Sequence, residues 1–207
     1  MAVTANLSIS LDGYYTGASP SSVHPLGQGG EPLHDWFAHE GTTRDQLSTS
    51  EILAEEFERL GAMIMGRDSY EHAQAEWGET PPFEVPVFVV THRSQPDDVR
   101  HGTTFHFITD GFSAALERAQ EAAGAKNVVL HGGGAIRQGL LSGRLDELQL
   151  HILPMLLHGG RNLFESLEPG TVEFDQNRAV AGQQVTHIRY RVRYGHFSGD
   201  ADPFPIR

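Results

Sequence analysis

The chain has 207 residues, of which 39% are hydrophobic and 20% charged, a composition typical of one globular domain with a sizeable core. A net charge of −12 and scattered arginines argue against nucleic acid as a partner. The absence of cysteine excludes disulfides, thiolate metal sites and a cysteine nucleophile. Because the apolar runs are too short for a membrane span and the N-terminus lacks signal-peptide features, we expect no membrane association and a cytoplasmic location.

The first predicted element is a β-strand over residues 2–11, where apolar residues alternate with small polar ones. Asp12 and Gly13 follow this strand directly. An aspartate in this place either forms the turn by bonding its own backbone or presents a carboxylate at the mouth of a pocket. The local sequence leaves both interpretations open.

Residues 15–46 form a long stretch with little periodicity and many glycines and prolines. In a compact domain such a stretch indicates a lid, a binding loop or disorder. Leu33 and Trp36 need burial, which argues against disorder. We interpret the stretch as a lid-like loop over a site, with His34 and Trp36 as substrate-binding residues. A structural role, in which Trp36 anchors the loop to the core, fits the sequence equally well.

The next element is a predicted helix of about three turns. The segment Ser48–Glu51 has the pattern of a capping box, and Leu53, Phe57 and Leu60 follow at helical spacing. Gly61 is the expected C-terminal end of this helix.

Two polar or glycine-rich turns follow the next two buried strands. The first, Gly66–Ser69, precedes a possible short helix, and there Arg67 and Ser69 have side chains suited to a phosphate. The second, Thr91–Arg93, follows Val87–Val90 and contains an arginine of the kind that recognises a 2′-phosphate. A solvated loop explains the second turn as well.

The most informative stretch is residues 127–141, which reads as a strand, a glycine turn and a helix. Free N–H groups at a helix N-terminus favour an anion, and Gly132–Gly134 would let a diphosphate approach the backbone closely. No P-loop lysine follows, and Arg137 stands where the third glycine of a dinucleotide-binding fingerprint belongs. This stretch alone therefore supports a plain βα turn and a phosphate site equally.

The alternation of strands and helices predicts an α/β fold with a mostly parallel sheet, made mixed by a hairpin of strands near residues 172–182 and 185–194. Ligands of such sheets bind at the carboxyl ends of the strands. Asp12 and the three turns described above all follow predicted strands. Their common location is better evidence for a site than any one of them.

Six motifs occur in an order that resembles the dihydrofolate reductase-like superfamily, most closely the branch that includes the reductase domain of bacterial riboflavin biosynthesis. The resemblance extends over about residues 3–167. The motifs are Ser10–Gly13, Gly66–Tyr70, Val89–His92, Val129–Ile136, Leu145–Leu148 and Leu157–Phe164.

This resemblance implies a three-layer fold with a central, mostly parallel sheet and an antiparallel C-terminal strand. It also implies NADPH as cofactor, hydride transfer as the reaction and a homodimer. Asp12 is the implied catalytic residue, near a small-molecule substrate. We expect a single domain over residues 1–207 with an extended tail at residues 198–207. The residues that the resemblance assigns to the cofactor are Gly66, Arg67, Ser69, Thr91, His92, Arg93, Gly132, Gly133, Gly134, Ala135 and Ile136.

Several points stay open at this stage. Asp68 fits a phosphate site poorly, so we expect it to cap the helix or point away. Glu51, Glu55 and Glu56 are equal candidates for the acidic residue that binds the pterin in classical dihydrofolate reductases. The twelve histidines show no zinc-binding spacing, so we predict no metal. The predicted function is a reductase of a small heterocycle; the alternative is a binding protein that keeps the fold without turnover.

Overall fold

The computed structural model describes residues 1–38, 43–47 and 49–195. Ser48 and the predicted tail at residues 198–207 lie outside the described residues. The strands are β1 (Val3–Ser10), β2 (Tyr14–Thr16), β3 (Leu60–Gly66), β4 (Val87–Val90), β5 (Asp98–Arg100), β6 (Thr103–Ile108), β7 (Asn127–His131), β8 (Glu147–Leu153), β9 (Arg161–Asn162), β10 (Val172–Gly182) and β11 (Val185–Tyr194). The helices are a 3₁₀ turn (Glu31–His34), α1 (Asp35–Ala38), α2 (Arg44–Leu47), α3 (Ala54–Arg59), α4 (Arg67–Trp77), α5 (Gly111–Ala123) and α6 (Gly133–Leu141).

Nine strands form one mixed sheet in the order β10-β11-β8-β1-β7-β3-β4-β6-β5. The six strands from β8 to β6 in this order run parallel. At the edges, β11 runs antiparallel to β8, β10 to β11, and β5 to β6. The predicted mostly parallel sheet with an antiparallel C-terminal strand is therefore confirmed.

Helices cover both faces of the sheet, because parallel strands need crossover connections. One face packs against α5 and α6, with Leu130 and Leu148 among its fully buried residues. The other face, which we call the loop face, packs against α3, α4 and the segment around Leu33 and Trp36. Leu33 is fully buried there, so this part of the long loop belongs to the core. The three-layer prediction is confirmed.

The predicted three-turn helix ending at Gly61 is wrong in its length. Helix α3 comprises only Ala54–Arg59, and Leu60 and Gly61 already belong to β3. A Cβ at Gly61 would lie 2.9 Å from Cα of Ala123, so the glycine permits close contact with the end of α5. The hydroxyl of Ser50 accepts hydrogen bonds from the backbone N–H groups of Ile52 and Leu53, which directly precede α3.

Among the described residues, no helix is both long enough and apolar enough to cross a membrane.

Candidate active site

The turns after β3 and β7 lie side by side at the carboxyl edge of the sheet. Gly132 has a φ of +80°, and a Cβ there would stand 2.2 Å from the Oγ atom of Ser69. The residue at position 132 must therefore be glycine for both conformational and steric reasons. The contact brings the starts of α4 and α6 together, as expected if both turns serve one ligand.

Both helices begin without a side-chain cap. Gly66 precedes α4 and Gly132 precedes α6, and neither helix start receives a side-chain hydrogen bond. The first N–H groups of a helix have no partner inside the helix, and the helix dipole attracts an anion to them. Ala135 and Ile136 are buried, and the backbone N–H of Ile136 donates to the carbonyl oxygen of Gly132 at 3.2 Å.

Gly66 and Gly134 have open space where a Cβ would stand, with no atom within 4 Å apart from those of the adjacent residues and of the helix backbone itself. Their neighbours in the fold therefore do not require glycine at either position. A cradle of this kind fits a ligand that approaches the backbone closely, such as the diphosphate of a nicotinamide cofactor.

The side chain of Arg67 is held by its neighbours. Its Nε lies 2.6 Å from Oε1 of Glu71, and its Nη1 donates to Oε1 of Gln95 at 2.6 Å. Arg67 thus joins α4 to the segment after β4. In that segment Thr91 is buried and its Oγ1 accepts the N–H of Arg93 at 3.0 Å, while His92 and Arg93 are exposed.

A second cluster, not found from the sequence, surrounds the start of α6. The ring of Tyr15 lies against Gly133, where a Cβ would stand 2.3 Å from its Cζ. Burial raises the pKa of the Tyr15 hydroxyl, while the nearby Arg161 and Arg137 oppose the rise. Asp68 does not cap α4; its Oδ2 pairs with Nη2 of Arg161 at 2.7 Å. The negative charge of Asp68 is therefore balanced beside the turns.

Asp12 connects the end of β1 to the segment after β8. Its carboxylate accepts the hydroxyl of Ser10 at 2.5 Å and the backbone N–H groups of Leu157 at 3.2 Å and His158 at 2.9 Å. The Ser10 hydroxyl, followed by these amides, lowers the pKa of Asp12 to about 2. Asp12 is therefore ionised at neutral pH and acts as a hydrogen-bond acceptor.

Trp36 lies on the loop face and is 9% exposed. Its ring centroid is 4.2 Å from that of His151 and 4.9 Å from that of His187. Its Nε1 donates to Oγ of Ser8 at 2.9 Å. His34 keeps exposed surface, yet the surrounding protein lowers its pKa by desolvation. The two residues predicted to bind substrate thus border the loop face.

Replacing Ser8 with alanine is expected to lower the free energy of unfolding by about 1–3 kcal/mol, because the indole N–H of Trp36 would lose its buried acceptor. Urea unfolding followed by tryptophan fluorescence measures the change. Ser142→Ala is the control, because its hydroxyl bonds carbonyl oxygens at an exposed helix end. Equal stability of Ser8→Ala and wild type would show that this hydrogen bond does not hold the loop.

The structure distinguishes the three glutamates that the sequence left equivalent. Oε2 of Glu56 accepts a hydrogen bond from Nδ2 of Asn6 on β1 at 2.5 Å, and burial raises the pKa of Glu56. Glu55 instead pairs with Arg189 at 2.7 Å, and Glu51 is exposed. Glu55 and Glu56 thus both contact side chains of the sheet, and Glu56 is the one bonded to β1.

Comparisons with known proteins identify the fold and the family. A protein from Shewanella sp. PV-4 named for riboflavin biosynthesis superposes with a TM-score of 0.66 at 22% identity, over 93% of this chain and 99% of that chain. The Thermotoga maritima diaminohydroxyphosphoribosylaminopyrimidine deaminase/5-amino-6-(5-phosphoribosylamino)uracil reductase superposes with 0.56 at 12% identity, over 92% and 56%. Dihydrofolate reductase from Enterococcus faecalis, complexed with NADP(H) and RAB-propyl, superposes with 0.52 at 14% identity, over 92% and 96%.

At these identities the superpositions show a shared fold. No curated protein sequence matches the chain. Residues 1–188 match the family described as the RibD C-terminal domain, which is most of the chain. The chain therefore belongs to the RibD C-terminal domain family, the branch that its motifs resemble.

Proposed function

We propose that the protein is an NADPH-dependent reductase of a small heterocycle of the pyrimidine or pterin type. The observation that carries the proposal is the pair of uncapped helix starts that meet at Gly132 and Ser69. Open space beside Gly66 and Gly134 gives a diphosphate access to the backbone. When bound, the cofactor supplies a hydride.

Each part of the site has a role in this proposal. The N–H groups of Gly133 and Gly134 and the hydroxyl of Ser69 bind the diphosphate. Arg93, exposed after β4, binds the 2′-phosphate. Asp12 is ionised and orients the substrate or a water molecule through its carboxylate, since its low pKa makes it a poor proton donor.

The loop face supplies the substrate side. Trp36 shields this face from water, which favours hydride transfer by excluding side reactions. Glu56 and Asn6 offer a polar pair at β1. The names of the similar proteins from Thermotoga maritima and Enterococcus faecalis support a pyrimidine or pterin substrate.

The experiment is a titration of the purified protein with NADPH and NADH, followed by tryptophan fluorescence. NADPH oxidation is then measured with 5-amino-6-(5-phosphoribosylamino)uracil and with dihydrofolate. We expect micromolar NADPH binding and turnover with one of these compounds. Absence of binding by either nucleotide at millimolar concentration would overturn the reductase proposal, and binding without turnover of any heterocycle would favour the binding-protein alternative.

Replacing Arg93 with alanine is expected to weaken NADPH binding about tenfold and leave NADH binding unchanged, because only NADPH carries the 2′-phosphate. Arg144→Ala is the matched control. Arg144 is also an exposed arginine, but it follows the C-terminal end of α6 and is thus away from the proposed cofactor turn. If the binding of NADPH and the binding of NADH weaken equally, Arg93 does not recognise the 2′-phosphate.

The homodimer remains a prediction, and sedimentation equilibrium of the purified protein tests it.

A further inference from the structure

His131 carries a polar atom that the fold leaves without a partner. Among the described residues, Nδ1 of His131 and Nε2 of His151 are the buried side-chain nitrogens or oxygens that lack a hydrogen bond. Buried polar atoms in folded proteins are nearly always paired, because an unpaired one loses its hydration without compensation. The His151 ring at least bonds His187 through Nδ1 at 2.7 Å and lies against Trp36 at an interplanar angle of 40°, whereas no described residue forms a hydrogen bond with Nδ1 of His131.

The position of His131 connects the two halves of the proposed site. It is the last residue of β7 and directly precedes Gly132 of the cofactor turn. Its register partner on β3 is Met65, which is fully buried on the loop face. The imidazole therefore projects to the loop face, where the substrate side of the site lies.

The walls around the imidazole are aromatic. The ring centroids of Trp77 and Phe83 lie 5.8 Å and 5.9 Å from that of His131, at interplanar angles of 74° and 66°. Neither ring forms a hydrogen bond with Nδ1 of His131. They provide flat apolar surfaces of the kind that line sites for planar ligands.

The polar groups nearest along the sheet disfavour an anion. Ala5 on β1 pairs with Leu130 on β7, so Asn6 and His131 follow at the next step, and Asn6 bonds Glu56. Burial and the nearby His34 lower the pKa of His131 to about 4, which keeps the imidazole neutral at pH 7. Glu56 is acidic and the His131 imidazole is uncharged, so these two groups favour a neutral ligand atom at Nδ1 over a carboxylate or phosphate.

We propose that His131 is a substrate-binding residue whose Nδ1 hydrogen-bonds a neutral ring atom, a carbonyl oxygen or ring nitrogen, of a planar pyrimidine-type heterocycle. This inference rests on the proposed function and specifies which end of the substrate enters the loop face. Depending on its tautomer, a neutral imidazole either donates an N–H or offers a lone pair at Nδ1, so this atom suits a ring carbonyl oxygen or a ring nitrogen. The location before Gly132 places that ring beside the cofactor turn.

The test compares His131→Leu, which removes the nitrogen at similar volume, with His131→Asn, whose amide lies near the place of Nδ1. The probe is 5-amino-6-(5-phosphoribosylamino)uracil, and its Kd is measured by calorimetry without NADPH. We expect leucine to weaken binding of the probe ten- to a hundredfold and asparagine to retain most of it. We expect the NADPH Kd of both variants to stay within twofold of wild type.

The melting temperature provides a second readout. Because leucine removes an unpaired buried nitrogen, His131→Leu should melt at the wild-type temperature or above it. A fall of several degrees, or a probe Kd equal to that of wild type, would overturn the inference and indicate a structural histidine. Failure of the wild type to bind the probe would overturn it as well.

The same measurements separate this inference from the proposed function. If the wild type binds the probe through His131 but binds no nucleotide, the reductase proposal is refuted and the role of His131 in binding the probe is supported. Wild type that oxidises NADPH with the probe, with an unchanged KM in His131→Leu, would leave the reductase standing and refute the role of His131.

Discussion

Replacing Gly134 with alanine is expected to weaken NADPH binding at least tenfold while the protein stays as stable as wild type or gains up to about 1 kcal/mol. The Cβ position at Gly134 is open, so alanine meets no atom of another residue and favours the helix that it joins. The added methyl group would stand where the proposed diphosphate approaches the N–H groups of α6. Fluorescence titration with NADPH and urea unfolding measure the two quantities on the same sample.

Gly132→Ala is the variant to compare with Gly134→Ala, because we expect it to lose NADPH binding for a different reason. Its φ of +80° and the contact with Ser69 strain any side chain, so we expect a loss of stability together with the loss of NADPH binding. Of the two variants, only Gly134→Ala separates an effect on NADPH binding from an effect on the stability of the fold. If it binds NADPH as tightly as wild type, the turn before α6 does not hold the cofactor, and the open space beside Gly134 needs another explanation.

The fold could be predicted from the sequence where the pattern of one strand or helix is complete in itself. The buried runs at Val87–Val90 and Val128–Leu130 become strands in a parallel sheet. The predicted glycine turn is present but shorter, with Gly132 between strand and helix and the next two glycines already in α6. The end of α3 was mispredicted because Gly61 has the appearance of a helix terminator. Its actual role is a contact with α5, more than sixty positions away, which no local pattern contains.

Local sequence patterns also explain which residues of the candidate site could be predicted and which could not. The glycines and Asp12 follow strands, so the general rule for parallel sheets predicts their location. Tyr15 and Arg161 lie on β2 and β9, which have three and two residues and are too short for a periodic pattern. Their contacts with Gly133 and Asp68 depend on pairing between segments about 150 positions apart.

His187 shows how a correct strand prediction still misplaces a side chain. The alternation of apolar and polar residues along residues 185–194 predicts one polar face that comprises His187, Arg189, Arg191 and Arg193. Arg191 and Arg193 are the two arginines of this face that lie farthest along the strand from His187. Both arginines are exposed, but His187 is 7% exposed and bonds His151 beneath Trp36. The long loop covers one end of that face, and the sequence of the strand alone carries no sign of what covers it.

Lowering the pH from 6.5 to 5 is expected to reduce the free energy of unfolding by roughly 2–4 kcal/mol. Burial lowers the pKa of His151 from its ordinary value of 6.5 to about 3, with His187 adding to the effect, and that of His131 to about 4. In this window the unfolded chain binds protons that the folded protein does not, so stability falls as the pH falls. For each histidine the slope approaches about 1.4 kcal/mol per pH unit only below the ordinary pKa of 6.5, and the loss ends below pH 3–4, when the folded protein also takes up the protons.

Urea unfolding at several pH values measures this slope, and variants assign it. His151→Leu should remove about half of the slope between pH 6.5 and 5, whereas His24→Gln, at an exposed position, should leave it unchanged. Asp12 does not interfere, because the pKa of its carboxyl is lowered from 3.8 and its contribution disappears only below that pH. Glu56 acts in the opposite direction, because burial raises its pKa and the folded protein then takes up a proton before the unfolded chain does. The slope is therefore measured in a Glu56→Gln background as well.

A flat stability curve between pH 7 and 5 in Glu56→Gln would mean that neither histidine is held neutral in the folded protein. In that case one of the two rings, His151 or His187, would carry a positive charge in the core beneath the Trp36 indole. The packing of Trp36 on His151 would then need revision.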